Sequence, residues 1–366
     1  MGMYKYDEPY KQHLSLSTYA WNVIERDRMS FSVDGTLLSL AGLLNRIFMS
    51  FYARSEASLP TRLSEKRHEL NNALHGVKKE QKQMVVDALI NAYEDELKAK
   101  IFVPMHESLA KTGKPFTIQK KMYERLISLK KEGYFLNEAG SDMTSGKYIA
   151  AVFEEYARQP YCQREQVYFQ ETVTTVTRAV RLGCELIVTQ STEDKKLVRH
   201  RVIPYGLQTD KLSMYNYLVG FSRKIDEPDD NFKQFGVRLF KIVNAEIDET
   251  QASNRLNNDM RKSLKNFLAK HDAMFLSDAD RSQSTVVKLT EKGQRYYREQ
   301  IHMRPQYIEI TGDDANVYVF DCPMRQAEYY FFKFGKEAEI LSPNILRSKF
   351  IKMYREAAMV YAAHTL

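Results

Sequence analysis

Four short apolar runs between residues 185 and 244 do most to limit what this chain can fold into. They are "ELIVTQ", "LVRHRVIPYG", "YNYLVGFS" and "FGVRLFKIVN", and loops containing Gly, Asp and Pro separate them. Runs of this length, bounded by turn residues, are typical of strands joined by short connections. Several such strands at close spacing predict a small barrel or a strongly bent sheet.

A further strand is predicted near the N-terminus, in "RMSFSVDGT" at residues 28–36. Apolar and polar residues alternate through this run, which Asp34 and Gly35 end. Helical spacing follows from Leu37, and a second helix is predicted to start at Pro60. No second strand is predicted close to this one in sequence.

A strand without a local partner leaves its backbone hydrogen-bonding groups unpaired. Pairing with the same strand of a second copy would give a two-stranded ribbon over four helices, the ribbon-helix-helix arrangement. The alternative is that the strand joins an edge of the chain's own sheet. The inward positions of the ribbon would be Met29, Phe31 and Val33, and the outward ones, which could enter a nucleic-acid groove, Arg28, Ser30 and Ser32. We interpret this strand as a dimer contact more than as a reader of nucleic acid.

Periodicity divides the chain into four predicted parts. These are a ribbon-helix-helix dimerisation domain at 1–76, a helical connector at 77–159, the strand-rich domain at 160–250, and a C-terminal unit at 251–366. In the last part the order strand, helix, two strands, helix and strand resembles a ferredoxin-like unit with an added terminal helix. The predicted fold class is therefore α+β.

The charge balance favours a polyanionic partner, since 54 Lys and Arg stand against 47 Asp and Glu and give a net charge of +7. No apolar run reaches the roughly 18 residues of a membrane span, and the N-terminus lacks the apolar core of a signal peptide. We therefore expect a cytoplasmic protein that binds no membrane. Its cysteines, Cys162, Cys184 and Cys322, are too far apart for a disulfide framework or a metal spacing, so buried thiols are expected.

Two segments partly match known catalytic motifs but differ from them in spacing or in residue type. "HELNNALH" begins like a helical zinc-protease motif but has Asn72 where the second His belongs. "GSDMTSGKY" resembles a phosphate-binding loop, yet one residue too many separates Gly140 from Gly146, and Tyr148 replaces the Ser or Thr that would hold magnesium. We therefore expect no enzymatic activity, no cofactor and no metal.

The stretch "VRHRVIPYGLQTDKLSMYNYLVGF" resembles the core of a WYL domain, a family of small SH3-like β-barrels in bacterial regulators. The resemblance rests on Arg201 before Val202 and Pro204, and on the Tyr-Leu-Val sequence at 217–219. The family's Trp is replaced here by Asn216.

Downstream, "VRLFKI" resembles the family's "FRLDRI" and places Arg238 and Lys241 at its two basic positions. The Tyr usually found on an early strand of the family corresponds to Gln190. The predicted architecture of 160–250 is accordingly an SH3-like barrel of the WYL type.

WYL domains bind nucleic acids or nucleotide-like ligands through a basic groove, so the resemblance implies a binding role for basic and aromatic residues here. The candidates are Arg199, His200, Arg201, Tyr205, Tyr217, Arg238 and Lys241. Arginine forks pair with phosphate oxygens, and a tyrosine face can stack on a splayed base. Arg199 and His200 either add charge or lie on the outer face of the barrel, and strand alternation offers burial as the alternative for Tyr217.

Two classes of function follow. The first is a non-enzymatic binder of single-stranded RNA, similar to the ribbon-helix-helix plus WYL accessory proteins that accompany the RNA-guided RNA nuclease of type VI-D CRISPR systems. Its expected partners are single-stranded RNA or DNA, a second copy of the chain, and the CRISPR nuclease. The second is a dimeric DNA-binding transcription regulator with an effector-sensing WYL domain. The preference for RNA rests on the resemblance.

Overall fold

The structure, a computed structural model, describes most of the chain. The described residues are 10–32, 36–102, 112–132, 135, 144–192, 194–210, 214–225, 231–248, 256–281, 284–310 and 316–362. The chain divides into two units, Met1–Glu171 and Thr172–Leu366. Both contain helices and strands, which confirms the α+β class. No helix among the described residues is both long enough and apolar enough to cross a bilayer.

The first unit is mainly helical. Its elements are β1 (Tyr10–Leu16), α1 (Thr18–Ser30), α2 (Leu40–Ala73), α3 (Lys79–Phe102), β2 (Thr112–Ile118), α4 (Lys120–Lys131), α5 (Ser145–Arg158) and α6 (Tyr161–Tyr168). Strands β1 and β2 pair antiparallel, with Tyr10 opposite Ile118 and Leu16 opposite Thr112. Leu14, Leu16 and Phe116 are buried, because alternate positions of this ribbon turn towards the core.

The predicted strand at residues 28–33 is wrong, because Arg28, Met29 and Ser30 form the last turn of α1. The N-cap of this helix is Ser17, whose hydroxyl accepts a hydrogen bond from the backbone N–H of Ala20. Met29 is 63% exposed and so does not have the predicted inward position.

Phe31 and Ser32 shape the turn after α1. Phe31 is buried, and its ring lies 4.7 Å from the ring of Tyr168 in a stacked arrangement. Ser32 Oγ donates to the carbonyl of Arg28, and the Arg28 Nε donates to the carbonyl of Leu38. The predicted outward residues of the ribbon thus hold a local turn together. Val33 lies outside the described residues.

Helix α2 is a single element where the sequence predicted two. It begins after Ser39, whose hydroxyl accepts from the backbone N–H of Gly42, and it continues through position 60 to Ala73. A short turn then leads into α3, which contacts α2. Arg67 of α2 and Asp87 of α3 form an ion pair with an N–O distance of 2.6 Å.

The second unit begins with α7 (Gln170–Leu182), which spans the division, and a five-stranded antiparallel sheet. The strands are β3 (Glu185–Ser191), β4 (Leu197–Thr209), β5 (Asn216–Lys224), β6 (Lys233–Arg238) and β7 (Ile242–Asp248), in the order β6-β5-β4-β3-β7. The first three strands coincide with runs recognised in the sequence, whereas the fourth run, "FGVRLFKIVN", contains parts of both β6 and β7 and the 3-10 turn between them. In the described part of the chain β6 and β7 are the two edges, so the sheet is open where a closed barrel was predicted.

One face of this sheet is covered in its middle by α8 (Asn258–Lys270) and by a 3-10 helical segment at Ala273–Arg281. The approach is close, since a Cβ added to Gly236 of β6 would lie 2.7 Å from the carbonyl oxygen of Ala273. Glycine is therefore needed at this position for the segment to pack on the strand. The apolar cluster between these layers includes Ile203, Tyr217, Val219, Phe221, Leu264 and Leu276.

The remainder of the second unit contains a four-stranded antiparallel sheet. Its elements are β8 (Thr285–Leu289), α9 (Glu291–Glu299), β9 (Tyr307–Ile310), β10 (Val317–Phe320), α10 (Met324–Phe331), β11 (Ala338–Ser342) and α11 (Asn344–Ala362), with strand order β11-β8-β10-β9. The element order agrees with the one predicted from sequence. Its core is strongly aromatic and includes Phe320, Tyr330, Phe331 and Phe334.

Candidate nucleic-acid interface

The candidate residues on β4 are divided between the two faces of the sheet. Arg199 and Arg201 lie on the face that α8 partly covers, because alternate residues of a strand share a face and Ile203 belongs to the covered cluster. His200 points to the opposite face, where it is buried and its ring centroid lies 5.1 Å from that of Phe235. His200 therefore does not contribute to an exposed basic surface.

Arg201 is held by two carboxylates. Its Nη1 lies 2.6 Å from Asp248 Oδ2 and 3.4 Å from Glu185 Oε2. The sheet brings these groups together, because Glu185 is opposite Asp248 across β3 and β7 and β4 lies next to β3. The Glu185 side chain is only 1% exposed, so Arg201 compensates a buried negative charge. A phosphate would have to compete with that ion pair.

A second arginine of this region was not recognised in the sequence. Arg223 of β5 is directly opposite Arg201 of β4, and its guanidinium carbon lies 5.7 Å from the centroid of the Phe232 ring. Arg199 is exposed two residues before Arg201 on the same face. We call Arg199, Arg201 and Arg223 the arginine cluster. The register of the β4–β5 pair reveals this cluster, since Arg223 is far in sequence from Arg199 and Arg201.

Arg238 forms a different arrangement at the end of β6. Its guanidinium carbon lies 3.4 Å from the centroid of the Tyr215 ring and 4.9 Å from that of Phe240. Stacking on aromatic rings fixes the plane of a guanidinium and so directs its N–H groups. We call Tyr215, Arg238 and Phe240 the stacked triad. The sequence pointed to Arg238 but not to either ring.

The remaining candidates are Tyr217, Tyr205 and Lys241. Tyr217 is 8% exposed, in agreement with the alternative that strand alternation buries it. Tyr205 is half-buried at the margin of the same cluster, and it lines a small pocket with Leu256 and Arg261. Lys241 is half-buried in the 3-10 turn at Leu239–Lys241. Of these three residues, Tyr217 is thus too buried to be part of an exposed surface.

The arginine cluster and the stacked triad are separated along β5. Arg223 marks one end of the strand, whereas Arg238 is opposite Tyr217 near the other end. At about 3.3 Å per residue, the six steps from 217 to 223 correspond to about 20 Å. Arg201 and Arg238 therefore do not form one compact pocket. They belong to two separate arginine-containing sites on one face of a sheet whose middle is covered.

The arrangement suits an extended anion better than a small one. Two guanidinium sites about 20 Å apart can contact phosphates several nucleotides from each other, and aromatic rings near one site offer surfaces for bases. Among the described residues, no group of three or more His, Cys, Asp and Glu side chains is placed to hold a metal ion.

Comparisons with known proteins show a similarity over nearly the whole chain. A solved structure of a CRISPR Cas-related protein matches with a TM-score of 0.70 at 23% sequence identity, over 98% of this chain and 96% of that chain. The two proteins therefore share a fold. Proteasome accessory factor B/C (PafBC) of Arthrobacter aurescens matches with a TM-score of 0.28 at 15% identity, over 68% of this chain and 37% of that chain, which is too low to support a conclusion. No protein-family model and no curated protein matches the chain.

Proposed function

We propose that this protein is a non-enzymatic accessory protein of a CRISPR system and that it binds single-stranded RNA. The observation that carries the first part is the common fold with a CRISPR Cas-related protein over nearly the full length of both chains. The second part rests on the stacked triad and the arginine cluster, which share one face of the five-stranded sheet. The RNA-guided RNA nuclease of a type VI-D system is the proposed protein partner, on the strength of the sequence resemblance.

The domain assignments are part of the same proposal. We infer that the five-stranded sheet is the WYL domain, because Arg201, Tyr217 and Arg238 of the family resemblance all lie on its strands. The C-terminal sheet has its first and third strands in the centre and its second and fourth at the edges. That order is typical of a ferredoxin-like unit.

A single strand fits the separation of the two sites. Its bases are unpaired and can stack on rings such as those of Tyr215 and Phe240, while its flexible backbone can follow the uneven surface between the sites. A duplex keeps its bases stacked internally and would use the arginines alone. We therefore expect single strands to bind more tightly than duplexes of the same length.

The experiment is a competition at constant salt. A fluorescently labelled single-stranded RNA is bound to the full-length protein, and its anisotropy is followed as unlabelled single-stranded RNA, single-stranded DNA of the same sequence, or duplex DNA is added. We expect the RNA to compete best and the duplex worst. Constant salt is essential, because phosphate contacts make every affinity depend on it.

The same experiment tests the alternative function, that of a DNA-binding transcription regulator. A duplex DNA that displaces the probe more effectively than either single strand would contradict the proposal and favour a transcription regulator. Addition of the purified protein to a type VI-D nuclease with guide and target RNA tests the accessory role separately. An unchanged rate of target cleavage, together with tight RNA binding, would limit the proposal to RNA binding.

A further inference from the structure

Helix α3 carries apolar residues that the rest of the chain leaves exposed. Val86 and Ile90, on the side of the helix that the chain covers, are 1% and 4% exposed. By contrast, Met84, Val85 and Leu89 are 71%, 44% and 46% exposed. One side of α3 is thus buried against other parts of the protein, whereas these three side chains face solvent.

The exposed residues follow the spacing of a helix-pairing seam. The residues Lys78, Gln81, Val85, Ala88, Ala92 and Asp95 are all exposed and are spaced alternately by three and four positions. Met84 and Leu89 flank this line, which we call the α3 seam. Spacing by three and four is that of the contact line between two helices packed along their length. The small side chains of Ala88 and Ala92 allow a second helix to approach closely.

The α3 seam is complementary to itself when it is reversed. A two-fold axis between positions 86 and 87 places Lys78 opposite Asp95 of a second copy, and it does so at both ends. The same axis places Met84 opposite Leu89 and Val85 opposite Ala88. A parallel pair would instead put Lys78 beside Lys78 and Asp95 beside Asp95, which is repulsive.

The position of Lys78 supports an intermolecular role. Its carbonyl accepts the hydrogen bond from the backbone N–H of Lys82, so it stands at the N-terminal end of α3. A positive charge is unfavourable there for the dipole of its own helix. An aspartate from an antiparallel neighbour would compensate that charge.

We propose that two copies of this protein associate through antiparallel pairing of their α3 seams, with Met84, Val85, Ala88 and Leu89 in the centre and Lys78–Asp95 ion pairs at both ends. Such a contact is isologous, since each copy offers the same surface. The seam spans 17 residue steps, or about 26 Å of helix. A contact of this length buries less than the roughly 800 Å² per partner of a stable complex, so the dimer is expected to be reversible. The proposal does not depend on RNA binding.

The test measures oligomeric state by sedimentation equilibrium of the full-length protein over a range of concentrations. We expect Lys78→Glu and Asp95→Lys each to weaken the dimer by about tenfold, because each creates two like-charge contacts. Combining both changes in one chain should restore it. An equimolar mixture of the two single variants should also form a dimer, since the reversed pairing then brings opposite charges together at both ends.

A stronger variant and a matched control complete the design. Met84→Glu with Leu89→Glu should abolish the dimer while the circular dichroism spectrum is unchanged, because both residues are exposed. Met359→Glu, at a methionine of α11 that is 63% exposed, should leave the dimer intact. A monomer at all concentrations, or a dimer lost in Met359→Glu but retained in the α3 variants, would overturn the proposal. So would failure of the combined charge reversal to restore association.

Discussion

The guanidinium of Arg238 lies over the ring of Tyr215, with 3.4 Å between the guanidinium carbon and the ring centroid. A contact this short joins the end of β6 to the residue just before β5 and directs the arginine N–H groups along one plane. It is the most defined feature of the proposed RNA-binding face. The first prediction concerns it.

Replacing Arg238 by Ala should weaken binding of single-stranded RNA by about tenfold, the effect expected for one charge-assisted contact and its stacking. Arg238→Lys should lose most of that affinity as well, because a lysine keeps the charge but not the planar fork. Fluorescence anisotropy at matched salt measures both. Arg295→Ala on α9 removes the same charge from an exposed position of the second unit, and an equal loss there would show that net charge alone is responsible.

Arg201 and Arg199 should behave differently although they are two residues apart on one strand. Arg201→Ala leaves Asp248 and the buried Glu185 without their common cation, and it should lower the free energy of unfolding by about 2 kcal/mol. Arg199 is exposed, so Arg199→Ala should change stability by less than about 0.5 kcal/mol while weakening RNA binding. Urea unfolding followed by circular dichroism compares the two. Similar stabilities would contradict the structural role of Arg201.

The first unit should depend on a buried carboxylate. Asp27 accepts a hydrogen bond from the Tyr156 hydroxyl at 2.7 Å and is paired with Arg164, whose Nε lies 2.7 Å from Asp27 Oδ2. Asp27→Ala leaves the arginine charge uncompensated and should cost about 3 kcal/mol. Tyr156→Phe removes one hydrogen bond and should cost about 1 kcal/mol. Thermal unfolding orders the two variants, and a larger loss in Tyr156→Phe would contradict this assignment.

Cys322 should make the protein sensitive to alkaline pH. Burial raises the pKa of this thiol from 9.0 to about 12. Because the folded state disfavours the thiolate, the stabilising contribution is complete below pH 9 and is lost as the pH rises from about 9 towards 12. Between pH 8 and pH 10 the wild type should therefore lose about 1 kcal/mol more stability than Cys322→Ala. Urea unfolding at the two pH values measures the difference, and parallel losses in both proteins would refute it.

Strands β3, β4 and β5 could be predicted from sequence because each is a short apolar run with turn residues on both sides, whereas β6 and β7 lie within one run because only Leu239–Lys241 separates them. The same reasoning failed at Met29 and Phe31, because Met29 lies in the last turn of a helix and Phe31 is a buried aromatic side chain just after it. The helix is capped by Ser17, and Phe31 packs on Tyr168. The alternating residues alone include neither Ser17, which caps the helix, nor Tyr168, on whose ring Phe31 packs.

The site was predicted only in part, for a related reason. Arg238 was recognised from the family resemblance, but its partner Tyr215 lies outside the motif. Arg201 was recognised as well, but its ion pairs with Glu185 and Asp248 exist only because β3, β4 and β7 are neighbours in the sheet. Sequence patterns identify charges, whereas the register of the strands determines which of them are neutralised.

The pairing of β1 with β2 affects the order in which the elements of the first unit fold. It joins residues 10–16 to residues 112–118, and three helices are formed by the chain between them. Closing a loop of about 95 residues has an entropic cost of about 4 kcal/mol, which must be met before the ribbon contributes anything. We therefore expect the ribbon to form late, after the α2–α3 hairpin has shortened the effective loop. During synthesis, β1 emerges first of all the described elements and must remain unpaired until residue 118 has left the ribosome.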